Sequence, residues 1–404
     1  MRQHFALAIL ATVAVTPALA ADFNTIYRFA GGGANPGGAP IVGMDGALYG
    51  VTPNGGANYY GAVYRLVPPY DPGRLGTGAV IYSFAGGADG AAPVGDLLMD
   101  ATGDLFGVTY YGGNANTGTV FELTPPATAG GAWGKATLYQ FTDGADGGYP
   151  RGGLAACGTM ICGTTAGDYN IPGSYGTVFA LTPPSAAKPA ATLTTIYSFG
   201  GADDGSAPFG RLLRNSAGVL FGTASGYLGG TGNVFSLTPP GTQGGAWGHA
   251  VLHDFPFGTD GYTPLGGLTS RDGRLYGTTV GGGAYGGGTV FRLTPPSGTQ
   301  TVWAEDILAS LPVGAAPQST PAFGTGNLLY FTTTAGGANG FGRVLSLRPP
   351  AGGAAPWILA GVHDFTGGAD GEVPLGGFTV SGLRMYGTTS GGDDTAGTVF
   401  TVTK

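Results

Sequence analysis

The sequence predicts an all-β fold, a seven-bladed β-propeller, from three observations. Of the 23 acidic residues, 20 are Asp and only three are Glu, and Asp favours turns and caps whereas Glu favours helix interiors. A module closing in G-T-V-F-x-L-T-P-P recurs every 54 to 58 residues. Each module also holds four short segments rich in Thr, Val, Ile, Tyr and Phe and bounded by Gly, Asp or Pro, which is the pattern of β-strands. The first prolines of the closing motif are Pro68, Pro125, Pro183, Pro239, Pro295 and Pro349.

The four segments of a module follow one another in a fixed order. The outer strand is typified by Thr195–Phe199, and the next segment follows a proline, as in Pro264–Leu268. The third and fourth segments are typified by Leu275–Thr279 and Gly288–Leu293. A unit of four strands repeated seven times is typical of a β-propeller. A linear β-solenoid is the alternative, although its coils are shorter and carry no fixed count of four strands.

The phase of the repeat predicts how the ring closes. If the Pro-Leu-Gly-Gly-Leu segment is the inner strand A, the chain begins with a lone outer strand at Thr25–Phe29 and ends on strand C of the last blade. The N-terminal strand should then complete blade seven and remove a free sheet edge. We expect a chain that lacks residues 22–29 to be less stable throughout the ring.

Residues 1–20 have the features of a secretory signal peptide. Arg2 is followed by an apolar run from Phe5 to Val15, and the helix-breaking Pro17 precedes Ala18-Leu19-Ala20, an A-x-A cleavage signal. The run is too short to span a bilayer. We therefore predict cleavage after Ala20, a secreted or periplasmic location, and a single propeller domain over residues 21–404.

Composition and charge exclude several classes of function. The formal net charge is −7, and the 16 Lys and Arg residues are scattered singly, so no basic stripe is present for nucleic acid. No later stretch is long and apolar enough to cross a membrane. Gly and Pro together make 112 of 404 residues, which alone would indicate low complexity, but 42% apolar residues suffice for a core. We expect a folded monomer.

These motifs resemble a known family. The combination of DG-x-LYGTT, a Gly-rich stretch, GTVFxLTP, and LYxF with DGxxP is similar to the GloVer-type tandem repeat of the choice-of-anchor tandem-repeat proteins. The resemblance covers essentially the whole mature chain. It implies an exported repeat protein whose C-terminal anchor varies, and here no anchor is evident before Lys404. It implies no catalytic residue.

Five modules carry an Asp-Gly pair four residues before the strand-A proline. The expected role is structural, with the carboxylate accepting backbone N–H groups and the glycine taking a positive φ. Cation binding on the face formed by the D-to-A loops is the alternative, although hard cations need several convergent oxygens. The aspartates are Asp89, Asp146, Asp204, Asp260 and Asp370.

The channel-lining ring is the best place to look for ligand chemistry. It is predicted three residues after each strand-A proline, where Asp96 and Arg211 are the only ionisable residues. The B-to-C loops should lie on the same face as the Asp-Gly turns, and they carry exposed aromatic candidates for binding a glycan or an extracellular protein. These candidates include Tyr60, Tyr111 and Tyr285.

Other chemistry-bearing residues favour structural roles. Cys157 and Cys162 flank one A-to-B turn, and in an exported protein they are expected to form a disulfide. His253-Asp254 and the similar pair at His363 are neighbours on a strand, so their side chains point to opposite faces. The four Trp residues each lie eight residues before the apolar residue that anchors the end of strand D, a register that favours packing at the outer edge of the blade over a sugar platform. We expect no metal site and no cofactor.

Three functional hypotheses follow. The first is an exported non-enzymatic repeat protein, a surface interaction module that binds a carbohydrate or a protein. The second is a hydrolase or lyase that acts on polysaccharide at the mouth of the channel, and the third is a purely structural protein without a small ligand. A pocket that brings together two carboxylates, or a carboxylate and Arg211, would favour the enzyme.

Overall fold

Most of the chain after the predicted signal peptide is described by a computed structural model. Apart from a two-residue strand at Thr16–Pro17, which pairs in parallel with Ala360 and Gly361, residues 1–20 lie outside the described part, and so does the predicted cleavage. The described ranges are 16–17, 21–29, 33–128, 130–168, 170–171, 173–185, 188–201, 204–226, 230–242, 244–350, 357–392 and 396–403.

Seven four-stranded antiparallel blades form a seven-bladed β-propeller, as predicted. We name the strands of each blade A to D from the channel outward and number the blades from the N-terminus. Strand A spans, in order, Ile41–Val42, Ala91–Met99, Ala155–Cys157, Leu213–Arg214, Thr269–Arg271, Ala322–Phe323 and Thr379–Ser381. Strand B spans Leu48–Thr52, Leu105–Tyr111, Met160–Thr165, Leu220–Ala224, Arg274–Thr279, Leu329–Thr333 and Arg384–Thr389.

Strands C and D are six to nine residues long in every blade. Strand C spans Ala62–Val67, Thr119–Thr124, Thr177–Thr182, Asn233–Thr238, Gly286–Thr294, Arg343–Arg348 and Thr398–Thr403. Strand D spans Thr77–Ser83, Gly134–Gln140, Thr192–Ser198, Gly248–Asp254, Ala304–Pro312, Ile358–Asp364 and, for blade 7, Asp22–Arg28. A small ribbon, Gly33–Ala34 with Asn54–Gly55, and two short 3-10 turns at Gly87–Asp89 and Thr325–Asn327 complete the described elements.

The N-terminal strand closes the ring. It pairs antiparallel with strand C of blade 7, in a register from Asp22 opposite Thr403 to Arg28 opposite Thr398. The strand begins three residues earlier than the predicted Thr25, since Asp22, Phe23 and Asn24 also pair. Closure therefore joins the two ends of the chain within one sheet and pairs strand C of blade 7, which would otherwise be the outer edge of that blade.

The predicted inner segment lines the channel, but in most blades it does not form regular ladder pairs. In six blades strand A begins only after the segment that starts at the proline, and only Ala91–Met99 includes it. Proline has no N–H to donate to a ladder pair. Neighbouring inner segments also approach each other so closely that a Cβ on Gly376 would lie 2.7 Å from the carbonyl carbon of Gly38. Buried threonines bond these segments across blades instead, as Thr388 Oγ1 does to the carbonyl of Gly38 at 2.9 Å.

The residue before each strand-A proline adopts a left-handed conformation in every blade, although none of the seven is glycine. Their φ angles lie between 49° and 65°. Two hydrogen bonds hold Thr263 there, because its N–H donates to the carbonyl of Thr231 at 2.7 Å and its own carbonyl accepts from Val280 at 3.1 Å. This conformation costs about 1–2 kcal/mol for a residue with a Cβ, so the contacts between loops must stabilise it.

The core lies between blades rather than inside them. The phenylalanine at the end of strand D packs edge-on against an aromatic ring on strand C of the next blade, as Phe84 does on Phe121 with ring centroids 5.1 Å apart. The tryptophans also bridge blades, as Trp133 of blade 2 does by meeting Tyr49 of blade 1 with ring centroids 6.0 Å apart. Each blade is therefore stabilised by its neighbours, as in other repeat folds.

Cys157 and Cys162 are joined by a disulfide across the A-to-B turn of blade 3, with Cα atoms 5.8 Å apart. Cys162 is fully buried, at the position that is Tyr or Phe on strand B of the other blades. Among the described residues, no helix is long and apolar enough to cross a membrane.

Candidate functional site

Two cavities lie along the propeller axis. We call the face formed by the B-to-C and D-to-A loops the upper face. The upper cavity has a volume of about 130 Å³ and is lined by the residues that follow each strand-A proline. The lower cavity, of about 400 Å³, continues toward the A-to-B turns. The seven residues predicted to line the channel all border one or both cavities: Ala39, Asp96, Gly153, Arg211, Gly267, Thr320 and Gly377.

Asp96 and Arg211 face each other where the two cavities meet. Arg211 Nη1 lies 4.0 Å from Asp96 Oδ2, and a quarter of the Asp96 side chain is exposed. The other carboxylate oxygen, Oδ1, accepts a hydrogen bond from the backbone N–H of Ala39 at 2.8 Å. Burial raises the pKa of Asp96, against the opposing effects of Arg211 and the Ala39 N–H. The structure therefore brings a carboxylate and Arg211 into one pocket, which is the arrangement that favours the enzyme hypothesis.

Above this pair, Arg151 is held between two aromatic rings at the upper mouth. Its guanidinium carbon lies 4.7 Å from the ring centroid of Tyr110 and 4.9 Å from that of Phe209. The Arg151 Nη2 also donates a hydrogen bond to the Tyr110 hydroxyl at 3.1 Å. Because Arg151 is exposed, the rings hold its guanidinium in place while leaving it accessible to a ligand.

The tyrosines of blade 2 extend this mouth. Tyr111 is 45% exposed, and its ring packs at 4.6 Å from Tyr110 and at 6.3 Å from Tyr149. Of the three tyrosines predicted from the B-to-C loops, only Tyr111 belongs to this cluster. Tyr60 and Tyr285 are exposed on the loops of blades 1 and 5 and line neither axial cavity.

Charge is distributed unevenly between the channel and the rest of the protein. The axial cavities are bordered by three arginines, Arg151, Arg211 and Arg214, and, among the described residues, by one carboxylate, Asp96. The channel is therefore locally cationic in a chain whose net charge is −7. Sequence reasoning missed Arg151 and Arg214, although both lie in the inner segments, at one and six residues after their strand-A prolines.

Four of the five Asp-Gly aspartates accept a hydrogen bond from a backbone N–H in their own turn. Asp89 accepts the backbone N–H of Ala85 at 2.8 Å and the hydroxyl of Tyr82 at 2.7 Å. Burial acts to raise the pKa of Asp89, but Lys135 and these donors outweigh it and hold the pKa below its ordinary value. The same backbone donor, four residues before the aspartate, serves Asp146, Asp204 and Asp370.

Asp260 is the exception among the five. The residue four positions before it is Pro256, which has no N–H to donate. Of the residues that the structure describes, none donates a hydrogen bond to the Asp260 carboxylate; its backbone carbonyl alone accepts one, from Thr289. Oxygen or nitrogen atoms of Asp260, His253 and Glu305 lie within 4.8 Å of one another.

The two histidines that replace the strand-D tyrosine, His253 and His363, lie beside the aspartate seven residues later. His363 Nε2 lies 2.8 Å from Asp370 Oδ2, and His253 groups with Asp260. In other blades the same strand position is a tyrosine whose hydroxyl bonds to the aspartate. The repeated spacing of seven residues was the sequence signal that could have identified this pairing.

The chain belongs to the Gloeobacter/Verrucomicrobia repeat family, whose model matches residues 12–175 and 163–345. No curated protein matches it in sequence. Among solved structures it is similar to a putative oxidoreductase (glucose dehydrogenase) from Thermus thermophilus, with a TM-score of 0.45 and 15% identity over 78% of this chain and 94% of that one. It is also similar to a luciferin-regenerating enzyme, with a TM-score of 0.45 and 12% identity over 77% of this chain and 91% of that one. At these values neither likeness bears on activity.

Proposed function

We propose that this protein is an exported, non-enzymatic binding module whose upper channel mouth binds an acidic carbohydrate. The observation that carries the proposal is Arg151, an exposed guanidinium fixed between Tyr110 and Phe209 above a channel with two further arginines. Aromatic rings pack against sugar faces, and a guanidinium accepts a carboxylate in a bidentate arrangement. A uronic-acid oligosaccharide combines both groups.

The test is calorimetric titration of the chain with uronic-acid oligosaccharides and with neutral oligosaccharides of the same length. We expect the acidic series alone to bind, with affinity that falls as salt is added, since a screened ion pair contributes. Arg151→Ala should weaken binding by about tenfold or more, the equivalent of one charge-assisted hydrogen bond. Arg74→Ala is the matched control, because Arg74 is 78% exposed on a distant C-to-D loop. Equal binding of both series would contradict the proposal.

A polysaccharide hydrolase or lyase is the second candidate, and Asp96 beside Arg211 is the observation in its favour. A carboxyl group whose pKa is raised by burial is suited to general acid or base chemistry. A hydrolase of the common two-carboxylate type needs a second carboxylate, however, and Asp96 is the only one among the described residues that border the cavities.

The two candidates are separated by turnover. If the chain cleaves an acidic polysaccharide, new reducing ends or unsaturated uronates will accumulate, and Asp96→Asn will abolish their formation while leaving binding in place. The asparagine keeps an oxygen that can accept the Ala39 N–H, so the variant is expected to fold. If no cleavage is seen while oligosaccharides bind, the protein is a binding module.

A further inference from the structure

We infer that His253, Asp260 and Glu305 bind a divalent transition-metal ion, with Zn²⁺ as the best chemical match, in the outer cleft between blades 4 and 5. His253 lies on strand D of blade 4, Asp260 in the loop that follows it, and Glu305 on strand D of blade 5. The site is separate from the axial channel and independent of the function proposed for it.

The first argument is geometric. One donor atom from each of the three side chains lies within 4.8 Å of the others, and His253 Nε2 is 3.4 Å from Glu305 Oε2. A tetrahedral zinc ion with bonds of about 2.0–2.1 Å holds neighbouring ligand atoms about 3.3 Å apart. The histidine and glutamate are therefore already spaced as two ligands of one ion, and Asp260 needs only a side-chain adjustment to become the third.

The second argument is that polar atoms in this cleft are buried without partners. The Glu305 side chain is only 10% exposed, yet Glu305 Oε1 and His253 Nε2 have no hydrogen-bond partner among the described residues. Leaving such groups unsatisfied is costly. A metal ion would satisfy both atoms at once, together with the Asp260 carboxylate.

The third argument comes from the corresponding junction between blades 1 and 2. There the same three positions hold Tyr82, Asp89 and Lys135, and Lys135 Nζ pairs with Asp89 Oδ1 at 2.6 Å. At the junction between blades 4 and 5 a glutamate replaces the lysine. Two carboxylates thus meet at positions where the junction between blades 1 and 2 joins a carboxylate to a cation, and none of the described residues forms an ion pair from Lys or Arg to Asp260 or Glu305.

The donor set selects the type of ion. A histidine nitrogen with two carboxylates suits zinc and its first-row neighbours, whereas Ca²⁺ and Mg²⁺ prefer oxygen ligands alone. Three protein ligands leave a fourth position for water. Since the ligands come from two blades, the bound ion would link the blades across their outer cleft.

The site is tested by calorimetric titration of ZnCl₂ into the untagged full chain after metal is removed with EDTA. We expect one equivalent of zinc to bind and CaCl₂ and MgCl₂ to give no comparable signal. Glu305→Lys recreates the residue of the junction between blades 1 and 2, and His253→Tyr recreates the tyrosine found there. Each variant removes one ligand and should weaken zinc binding by about 100-fold or more.

Asp370→Asn is the matched control, because His363 and Asp370 form a similar pair whose third position is the ring of Phe23. This variant should leave zinc affinity unchanged. If Glu305→Lys does not fold, Glu305→Gln with Co²⁺ as a spectroscopic probe serves instead, since loss of the tetrahedral d–d absorption reports loss of the ligand. Absence of binding at millimolar zinc, or binding that survives both Glu305 variants and His253→Tyr, would overturn the proposal.

Discussion

The junction between blades 1 and 2 and the junction between blades 4 and 5 share one backbone arrangement but have opposite electrostatics. In the first, the turn carboxylate Asp89 is neutralised by Lys135, which is 8% exposed. In the second, Asp260 has lost its backbone donor to Pro256 and faces Glu305 instead. The repeat thus brings three side chains together at a junction: one from strand D, the aspartate of the Asp-Gly turn, and one from strand D of the next blade. The contrast teaches that the residue from the next blade decides whether these side chains form a structural ion pair or the proposed metal site.

The largest effect is expected where the ion pair is broken. Lys135→Met leaves the Asp89 carboxylate, 19% exposed, without its cation, and losing one partner of a buried pair typically costs about 3–5 kcal/mol. We expect a loss of about 3 kcal/mol in the free energy of unfolding, measured by urea denaturation. Lys188→Met, at an exposed lysine, should have little effect. Equal midpoints for the two variants would show that the pair contributes no stability.

The junction between blades 6 and 7 provides an apolar version of the same comparison. Its third position is Phe23, which stacks on His363 with ring centroids 3.5 Å apart. Phe23→Ala should destabilise the ring by about 2 kcal/mol, less than the loss for a fully buried Phe because Phe23 is only half-buried. Phe257→Ala, at a ring that is 69% exposed, is the control. Since Phe23 lies on the N-terminal strand, an unchanged midpoint would also argue against closure by that strand.

The junction between blades 4 and 5 should make the metal-free protein sensitive to pH. Burial raises the pKa of Glu305 to about 8, helped by Asp260 and Asp306, so the folded state retains a proton that the unfolded chain has released. Glu305 alone should therefore make stability fall as the pH rises from about 4.5, its ordinary pKa, to about 8, and each tenfold difference in proton affinity is worth about 1.4 kcal/mol.

Below about pH 6.5 His253 acts in the opposite direction, because burial lowers its pKa in spite of Asp260 and Asp254, so the net fall in stability is expected above about pH 6.5. Its contribution to stability is present above about pH 6.5 and is lost as the pH falls. Denaturation in EDTA across the pH range measures both trends. Glu305→Gln should flatten the slope above about pH 6.5. A slope that Glu305→Gln does not alter would assign the dependence to other groups.

The smallest expected effect comes from restoring the missing donor. Pro256→Ala supplies an N–H to the Asp260 carboxylate, as Ala85 does for Asp89. A hydrogen bond to a charged group contributes about 1.5–3 kcal/mol, and removing a proline costs about 0.4–1 kcal/mol through the unfolded chain. We expect a net gain of about 1 kcal/mol in the free energy of unfolding. The gain should vanish in the double variant with Asp260→Ala, which has no side-chain oxygen to accept the N–H, and a gain that persists there would have another origin.

Much of the fold and part of the site were predictable from the sequence. The proline register identified the residues that line the channel, including Asp96 and Arg211, because every blade repeats one backbone path around the axis. The residue before each of those prolines was not predictable as left-handed, because Val373 or Thr263 carries no local preference for a positive φ. Contacts with the preceding blade impose that conformation.

By itself the sequence determined the seven-fold period, the four strands of each blade and the closure of the ring by the N-terminal strand. These features follow from strand and turn preferences that act within a few residues of one another. Only the tertiary structure decided which side chains meet across blades, such as Arg151 with Tyr110 and Phe209, or His253 with Glu305. Those partners lie some 40 to 60 residues apart in the chain, and their contact depends on the twist and spacing of packed blades, which local preferences do not specify.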